Sequence, residues 1–201
     1  MYPFIYLASQ SPRRSQLLTQ LGVKHELLLA GPEEDAESLE DHVPGESPRD
    51  YVQRVTQLKL KSALQRLQAR GLPPAPVLCS DTTVALGNTI YAKPADAQDA
   101  VRMLADLSGQ THSVLTAVAI GQSVGQGGQV LQACSESSVT FAVLSEAEIR
   151  AYVASGEPMG KAGAYAVQGL AAAFISRISG SYTGIMGLPL FETAQLLKSL
   201  A

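Results

Sequence analysis

The sequence lacks several features that mark large classes of protein. No apolar run approaches the roughly 20 residues that a membrane-spanning helix needs, and we expect no membrane partner. No positive residue precedes the short apolar N-terminus, so we do not expect a signal peptide. Three histidines and two cysteines show no zinc-site spacing, and there is no Ser/His/Asp set and no Walker A loop. The sequence therefore argues against a membrane protein, a zinc protein and the common serine hydrolases and P-loop enzymes.

Charge and cysteine content set further limits. The formal net charge is -3, so the chain does not have the basic excess of a general nucleic-acid binder. Any recognition of phosphate must therefore be local, and we expect no nucleic-acid partner. Cys79 and Cys134 each lie in an apolar or strand-like stretch, which is more typical of reduced cysteines than of a disulfide. This favours a cytoplasmic location.

The order of predicted elements indicates the fold class. The 201 residues can bury a sizeable core, and the composition does not divide them, so we predict one domain over residues 1–201. Strands and helices mix without strict alternation, which predicts an α/β protein with a mixed sheet and two lobes around a cleft. The predicted strands are 4–8, 24–29, 76–80, 83–86, 90–91, 111–120, 130–144 and 174–178. The predicted helices are 12–21, 48–70, 95–107, 145–152 and 190–200.

The stretch that joins the first strand to the first helix has the chemistry of an anion site. Ser11 is a typical N-cap residue and Pro12 a typical first helical residue. Arg13 and Arg14 then fall in the first turn, where the helix dipole disfavours cations. An anion held by the free backbone N–H groups and the two guanidinium groups would explain this placement. The alternative is a pair of solvated arginines on a surface helix.

Other charged residues can supply the rest of a phosphate site. Lys59 lies within the apolar stripe of the helix predicted over 48–70, whereas Lys61 points away from it. A lysine in that position must extend to solvent or meet a negative partner. Asp81 follows a predicted strand, where a carboxylate faces the ligand crevice of an α/β sheet or else caps a turn. Lys93 is by itself a surface lysine.

Residues 30–48 form an acidic stretch, and such a run is usually a solvated loop in which one carboxylate can hold a cation. Carboxylates together with basic groups fit metal-assisted phosphate chemistry. His112 stands at the start of a predicted strand without a Ser, Cys or Asp partner, and we interpret it as structural. The acidic residues of the stretch are Glu33, Glu34, Asp35, Glu37, Glu40 and Asp41.

A set of motifs in the same order along the chain resembles the Maf family of nucleoside triphosphate pyrophosphatases, historically called septum formation inhibitors. The resemblance implies a two-lobed fold related to the inosine triphosphate pyrophosphatases. It also implies hydrolysis of a nucleotide to the monophosphate and pyrophosphate with a divalent cation, Mg²⁺ or Mn²⁺. The motifs are ASQSPRR (8–14), SDT (80–82), KP (93–94), LSGQTH (107–112), KAGAY (161–165), QG (168–169) and GLPL (187–190).

The resemblance also implies roles for individual residues. Asp81 matches the proton acceptor of the family, and Asp81 and Glu34 would hold the cation. The neighbouring Glu33 leaves the alignment of the acidic-loop carboxylate open by one residue. The residues that match phosphate-binding positions are Ser11, Arg13, Arg14, Lys59 and Lys93.

Three positions bear on the base. Arg13, Thr82 and Gln168 match the branch of the family that acts on dTTP, UTP and modified pyrimidine nucleotides. One alternative is the related 7-methyl-GTP pyrophosphatase, which we expect to carry an aromatic residue, Gln and Glu at these sites. Another is a regulator of septum formation, linked to arrest of cell division, that binds nucleotide without turnover. The expected partners are the nucleoside triphosphate and, in a homodimer, a second copy of the chain.

Overall fold

The computed structural model describes residues 3–31, 34, 38–122 and 129–200. The strands are β1 (Ile5–Leu7), β2 (His25–Leu27), β3 (Val77–Leu86), β4 (Thr89–Tyr91), β5 (Thr111–Gly121), β6 (Val130–Phe141) and β7 (Ile175–Ser179). The helices are α1 (Pro12–Gln20), α2 (Pro48–Ala69), α3 (Ala97–Leu107), α4 (Glu146–Ala154), α5 (Tyr182–Met186) and α6 (Leu190–Lys198). Short 3-10 helices cover Ser38–Glu40, Ala162–Ala164 and Leu170–Phe174. No helix in these ranges is long and apolar enough to cross a membrane.

The strands form one mixed sheet, which confirms the predicted fold class. Its order is β2-β1-β3-β5-β6-β7, and β4 pairs with β3 outside this path. β1 pairs in parallel with β2 and β3, whereas the pairs β3–β5, β5–β6 and β6–β7 are antiparallel. Helices cover both faces of the sheet, so apolar side chains of its central strands are buried on each side.

One edge of β3 is only partly covered. β5 pairs with β3 along Val77–Ala85. On the opposite edge, β1 pairs only with Val77 and Leu78, and β4 pairs only with residues 84–86. Neither β1 nor β4 therefore pairs with residues 79–83. We call this uncovered stretch of the β3 edge the notch.

The notch presents consecutive residues to different faces of the sheet, because side chains alternate along a strand. Cys79 packs with the C-terminal half of α2, and Asp81, two residues further, faces the same helix. Leu78 packs on the opposite face with α1 and α6. Thr82 shares that opposite face and contacts Arg14 of α1. A ligand at the notch can therefore reach groups on both faces.

We call the two parts of the apolar core that lie along β3 the two lobes. In one, β1 and the first residues of β3 pack against α1, α2 and α6. In the other, the second half of β3 and the ends of β5 and β6 pack against α3 and α4. β3 and β5 run through both lobes, so these two strands fix the position of one lobe relative to the other.

Three sequence predictions differ from the structure. A strand ending before Asp81 is wrong: β3 continues to Leu86, because β5 pairs with it residue by residue. The strand predicted over 130–144 is too long, because β6 ends at Phe141 and Val143 is 85% exposed. Helix α5 was not predicted, because its five residues are too few for a periodic apolar pattern.

The segment Ala162–Ala164 lies against β3 through a close backbone approach at Gly163. This residue has φ +67°, and a Cβ built on it would lie 2.8 Å from a side-chain methyl of Val84. Its N–H also donates to the carbonyl of Ala92 at 3.2 Å. Only glycine combines this conformation with this approach. The contact fixes the start of the segment that carries Tyr165.

We expect Gly163→Ala to destabilise the protein more than Gly71→Ala. Both glycines have positive φ, but a Cβ built on Gly71 would have no atom within 4 Å. Gly71→Ala should cost only the backbone strain of about 1–2 kcal/mol. Gly163→Ala should cost about 1–3 kcal/mol more, because the added methyl overpacks against Val84. Urea denaturation measures both, and equal losses would contradict the close approach.

Candidate active site

A cleft of about 880 Å³ lies at the notch, between the two lobes. Its walls come from the β1–α1 connection, the acidic loop, α2, the middle of β3, the segment 159–167 and the end of α5. Elements that are far apart in sequence thus meet here. All the residues that the resemblance assigned to phosphate binding or proton transfer line this one cavity: Ser11, Arg13, Arg14, Lys59, Asp81 and Lys93.

A chain of ion pairs crosses the α2 side of the cleft. The Lys59 ammonium lies 2.6 Å from Asp81 Oδ1 and 2.7 Å from Glu40 Oε1. Lys93 Nζ lies 3.1 Å from Glu40 Oε2. Lys59 is only 21% exposed, so its apolar stem is packed as its place in the stripe predicted. Two carboxylates and two ammonium groups therefore alternate beside the notch.

These contacts keep the groups charged. Burial by itself lowers the pKa of Lys59, but the charges of Asp81 and Glu40 outweigh it and raise that pKa. Burial raises the pKa of Glu40, but the charges and hydrogen bonds of Lys59 and Lys93 outweigh this and lower it. At neutral pH both Lys59 and Glu40 are therefore ionised. The α2 side of the cleft is a fixed array of alternating charges.

Glu34, predicted to hold the cation together with Asp81, is paired with Arg66 of α2. Its Oε2 is 2.6 Å from Arg66 Nη2 and its Oε1 is 2.8 Å from Arg66 Nε. These hydrogen bonds lower the pKa of Glu34 to about 2. Glu34 lines the same cleft, but its carboxylate ties the acidic loop to the buried Arg66 of α2. Glu33 lies outside the described residues.

Glu40 was not singled out from the sequence. It was one of several carboxylates in the acidic stretch, and no spacing distinguished it from the others. The structure places it by a 3-10 helix, Ser38–Glu40, whose last carbonyl accepts a 2.9 Å hydrogen bond from Tyr51 Oη of α2. Such a tertiary contact has no signature in the local sequence.

The two arginines of α1 have different surroundings. Arg14 Nε donates to the carbonyl of Gly187 at 2.8 Å, and Arg14 Nη1 donates to Ser9 Oγ at 3.2 Å. Burial lowers the pKa of Arg14, and the negative charge of Asp81 partly offsets this lowering. Within the described residues, Arg13 makes no salt bridge or side-chain hydrogen bond. Ser11 is the N-cap residue of α1, but its hydroxyl makes no capping bond to the described chain.

Lys161 adds a cation that the sequence did not assign. It lines the cleft, and its ammonium donates to the carbonyls of Glu157 and Met159. Burial and the nearby charge of Arg13 lower its pKa. Arg13 and Lys161 therefore lie close enough to repel each other. An anion in the cleft would relieve this repulsion.

The other end of the cleft is apolar. Thr82 separates it from the charged end, with Oγ1 3.0 Å from Thr116 Oγ1 and 3.4 Å from Arg14 Nη2. Gln168, predicted to recognise the base, is exposed and is not among the residues that line the cleft. The apolar end is formed by Val84, Val114, Tyr165, Val167 and Ile185.

The carboxylates present fit a divalent cation. Asp81 and Glu40 converge on the single ammonium of Lys59, so their oxygens already face one point of positive charge. Mg²⁺ is typically held by one or two carboxylates together with phosphate oxygens and water. Within the described residues, no three acidic, histidine or cysteine side chains are placed to hold a metal ion. This pair is therefore the donor set that a nucleotide-bound cation would meet.

The sequence is similar to those of known proteins over nearly its full length. A dTTP/UTP pyrophosphatase of Albidiferax ferrireducens is 68% identical over 199 residues, which cover 99% of this chain and 98% of that one. A dTTP/UTP pyrophosphatase of Cupriavidus metallidurans is 64% identical over 198 residues, which cover 98% and 97% of the two chains.

A solved structure, a nucleoside-triphosphatase (dITP/XTP pyrophosphatase) of Mycobacterium abscessus, is 14% identical. It matches with a TM-score of 0.42 over 71% of this chain and 76% of that one. The family model for Maf-like proteins matches residues 4–200. The chain belongs to the Maf family.

Proposed function

We propose that this protein is a pyrophosphatase that hydrolyses dTTP, UTP and modified pyrimidine nucleoside triphosphates to the monophosphate and pyrophosphate. The observation that carries the proposal is the convergence of Asp81, Lys59, Glu40 and Lys93 at one notch. This grouping of carboxylates and ammonium groups suits a metal-bound polyphosphate. Relatives at 64–68% identity that bear this activity in their names support the same assignment.

The two ends of the cleft orient the nucleotide. The apolar end suits a planar base, because burial of its faces there removes apolar surface from water. The charged end suits the triphosphate, with Lys59 and Lys93 on one side and Arg13 and Arg14 on the other. The α-phosphate, which joins the two parts of the substrate, then lies near the notch and Asp81.

The reaction follows from this placement. A water molecule attacks the α-phosphorus, the bond to the bridging oxygen breaks, and pyrophosphate leaves. The Asp81 carboxylate orients this water and accepts its proton. Lys59, Lys93 and the two arginines stabilise the negative charge that shifts to the leaving pyrophosphate. These cations are already in place before the reaction, so little reorganisation of the protein is needed when negative charge develops on the leaving pyrophosphate.

A divalent cation bound by Asp81 and Glu40 would neutralise phosphate charge and polarise the attacked phosphoryl group. Glu40 replaces Glu34 in this role, because Glu34 is engaged by Arg66. We also propose a cytoplasmic location for the enzyme. It is supported by Cys79 and Cys134, which are both free.

Pyrophosphate release from dTTP and UTP tests the proposed function. We expect wild-type protein with Mg²⁺ or Mn²⁺ to form monophosphate and pyrophosphate, and chelation to stop the reaction. Asp81→Asn should lower kcat at least 100-fold, because the amide cannot accept the proton. Binding of nucleotide without pyrophosphate release would indicate a regulator instead. A variant that keeps more than about a tenth of wild-type kcat would contradict the role of Asp81.

The second prediction compares two lysines of α2. Lys59→Ala should reduce kcat/KM about 100-fold or more, because a preorganised cation at the phosphates is lost. Lys61→Ala should stay within about twofold of wild type, since Lys61 is exposed on the other side of the same helix. Both variants replace lysine by alanine in the same helix, so the change in helix propensity is the same. Their melting temperatures then show whether a loss of activity comes from a loss of folding. Equal losses of activity at matched stability would show that Lys59 has no special role.

The third prediction separates the two glutamates. Glu40→Gln should raise the Mg²⁺ concentration for half-maximal activity about tenfold or more, because one carboxylate donor is lost. Glu34→Gln should leave this concentration unchanged. It should instead lower stability by about 1.5–3 kcal/mol, because charge-assisted hydrogen bonds to Arg66 are weakened. Magnesium titration and urea denaturation of both variants check this. If Glu34→Gln raised the required Mg²⁺ concentration and Glu40→Gln did not, Glu34 rather than Glu40 would be the metal ligand.

A further inference from the structure

A buried pair, His112 and Tyr165, lies at the apolar end of the cleft and takes no part in the chemistry described above. His112 is 2% exposed, and its Nε2 lies 2.8 Å from Tyr165 Oη. Both rings also pack edge-to-face against Phe141, which holds them in place. His112 Nδ1 has no hydrogen-bond partner in the described part of the chain. A buried polar atom without a partner calls for a physical explanation.

The missing partner of Nδ1 indicates which nitrogen carries the proton. Burial lowers the pKa of His112 to about 4, so the ring is neutral at physiological pH and has one donor and one acceptor. A proton on Nδ1 would leave a buried N–H without an acceptor, which is rarer and more costly than an unfilled lone pair. The proton therefore lies on Nε2. It is donated to the hydroxyl oxygen of Tyr165.

The hydroxyl hydrogen of Tyr165 is consequently not used by His112. Within the residues that the structure describes, Tyr165 Oη has no second hydrogen-bond partner. Tyr165 lines the cleft. His112 and Val114 share one face of β5, and Val114 lines the cleft as well. Tyr165, which lines the apolar end, thus carries a hydroxyl hydrogen that no described residue accepts.

We propose that Tyr165 is a specificity-determining residue whose hydroxyl donates to O4 of a bound uracil or thymine. His112 is the positioning residue that turns this hydroxyl toward the base. The inference rests on the proposed function, and it names a contact that would make the enzyme prefer uracil and thymine to cytosine. Uracil and thymine carry a carbonyl at position 4, where cytosine carries an amino group. All three share O2, so only a contact beyond O2 can separate them.

A donor facing position 4 produces this discrimination physically. With UTP, the Tyr165 hydroxyl gains an acceptor in a buried site. With CTP, two donors face each other, and at least one loses its hydrogen bond. A site built to bond a particular group thus rejects the analogue that lacks it. The alternative is that His112 and Tyr165 only fill space in the core.

Tyr165→Phe separates these alternatives, because it keeps the ring and removes only the hydroxyl. We expect kcat/KM for UTP to fall about tenfold and that for CTP to change less than about threefold. Tyr152→Phe is the matched control. Its hydroxyl also bonds a side chain, Glu157 Oε1 at 2.9 Å, but the residue does not line the cleft. The control should retain the wild-type ratio of UTP to CTP.

Variants of His112 test the positioning role by the same ratio. His112→Leu should lower the UTP-to-CTP ratio as much as Tyr165→Phe, and the double variant should be no worse than either single one. His112→Gln keeps an N–H donor and should retain most of the ratio. Wild-type ratios in both His112 variants would overturn the positioning role, whatever their melting temperatures.

Nitrogen-15 NMR of the imidazole gives a measurement that does not depend on turnover. The expected tautomer carries its proton on Nε2, and a proton on Nδ1 would overturn the inference. The enzymatic outcomes are also distinct. If the wild-type protein does not hydrolyse UTP, both the proposed function and this contact are wrong. If the Tyr165→Phe variant keeps the wild-type preference for UTP over CTP, the proposed function stands and only the Tyr165 contact is wrong.

Discussion

The site depends on a short stretch of β3 that pairs on one edge only. An uncovered edge exposes backbone N–H and C=O groups, and proteins usually keep such edges short or cover them. Here β1 ends early because the chain turns into α1, and β4 is only three residues long. Both strands belong to the sheet, yet they leave residues 79–83 open. The lengths of these strands therefore leave the gap in the sheet, and the surrounding loops complete the walls of the cavity.

Local charge explains how an acidic protein can bind a polyphosphate. Arg66 and Glu34 neutralise each other and anchor the acidic loop. Around the notch, five cations outnumber two carboxylates, although the whole chain carries a net charge of -3. Low-dielectric walls strengthen such a local field, which attracts anions independently of the overall charge. The charged groups are Arg13, Arg14, Lys59, Lys93 and Lys161, with Asp81 and Glu40.

Periodicity and capping chemistry made much of the fold predictable. Ser47 and Ser145 cap α2 and α4 close to where those helices were predicted to begin, and the apolar stripe of α2 correctly placed Lys59 inward and Lys61 outward. These features depend on neighbours within a few residues. The grouping of Asp81 with Glu40 was not predictable from pattern, because it depends on strand pairing and on the path of a loop. His112, for which the sequence offered no partner, is buried and lies next to Tyr165, a contact between residues 53 positions apart that no local pattern predicts.

Asp81 and Thr82 are consecutive residues that face different parts of the cleft. A slip of one residue in the pairing of β3 with β5 would exchange the two and send every other side chain of β3 to the wrong face. The Gly87-Asn88 turn joins β3 to β4, so a change in its length would shift the pairing of these two strands. The short turn thereby fixes where β4 ends its pairing and hence where the notch ends.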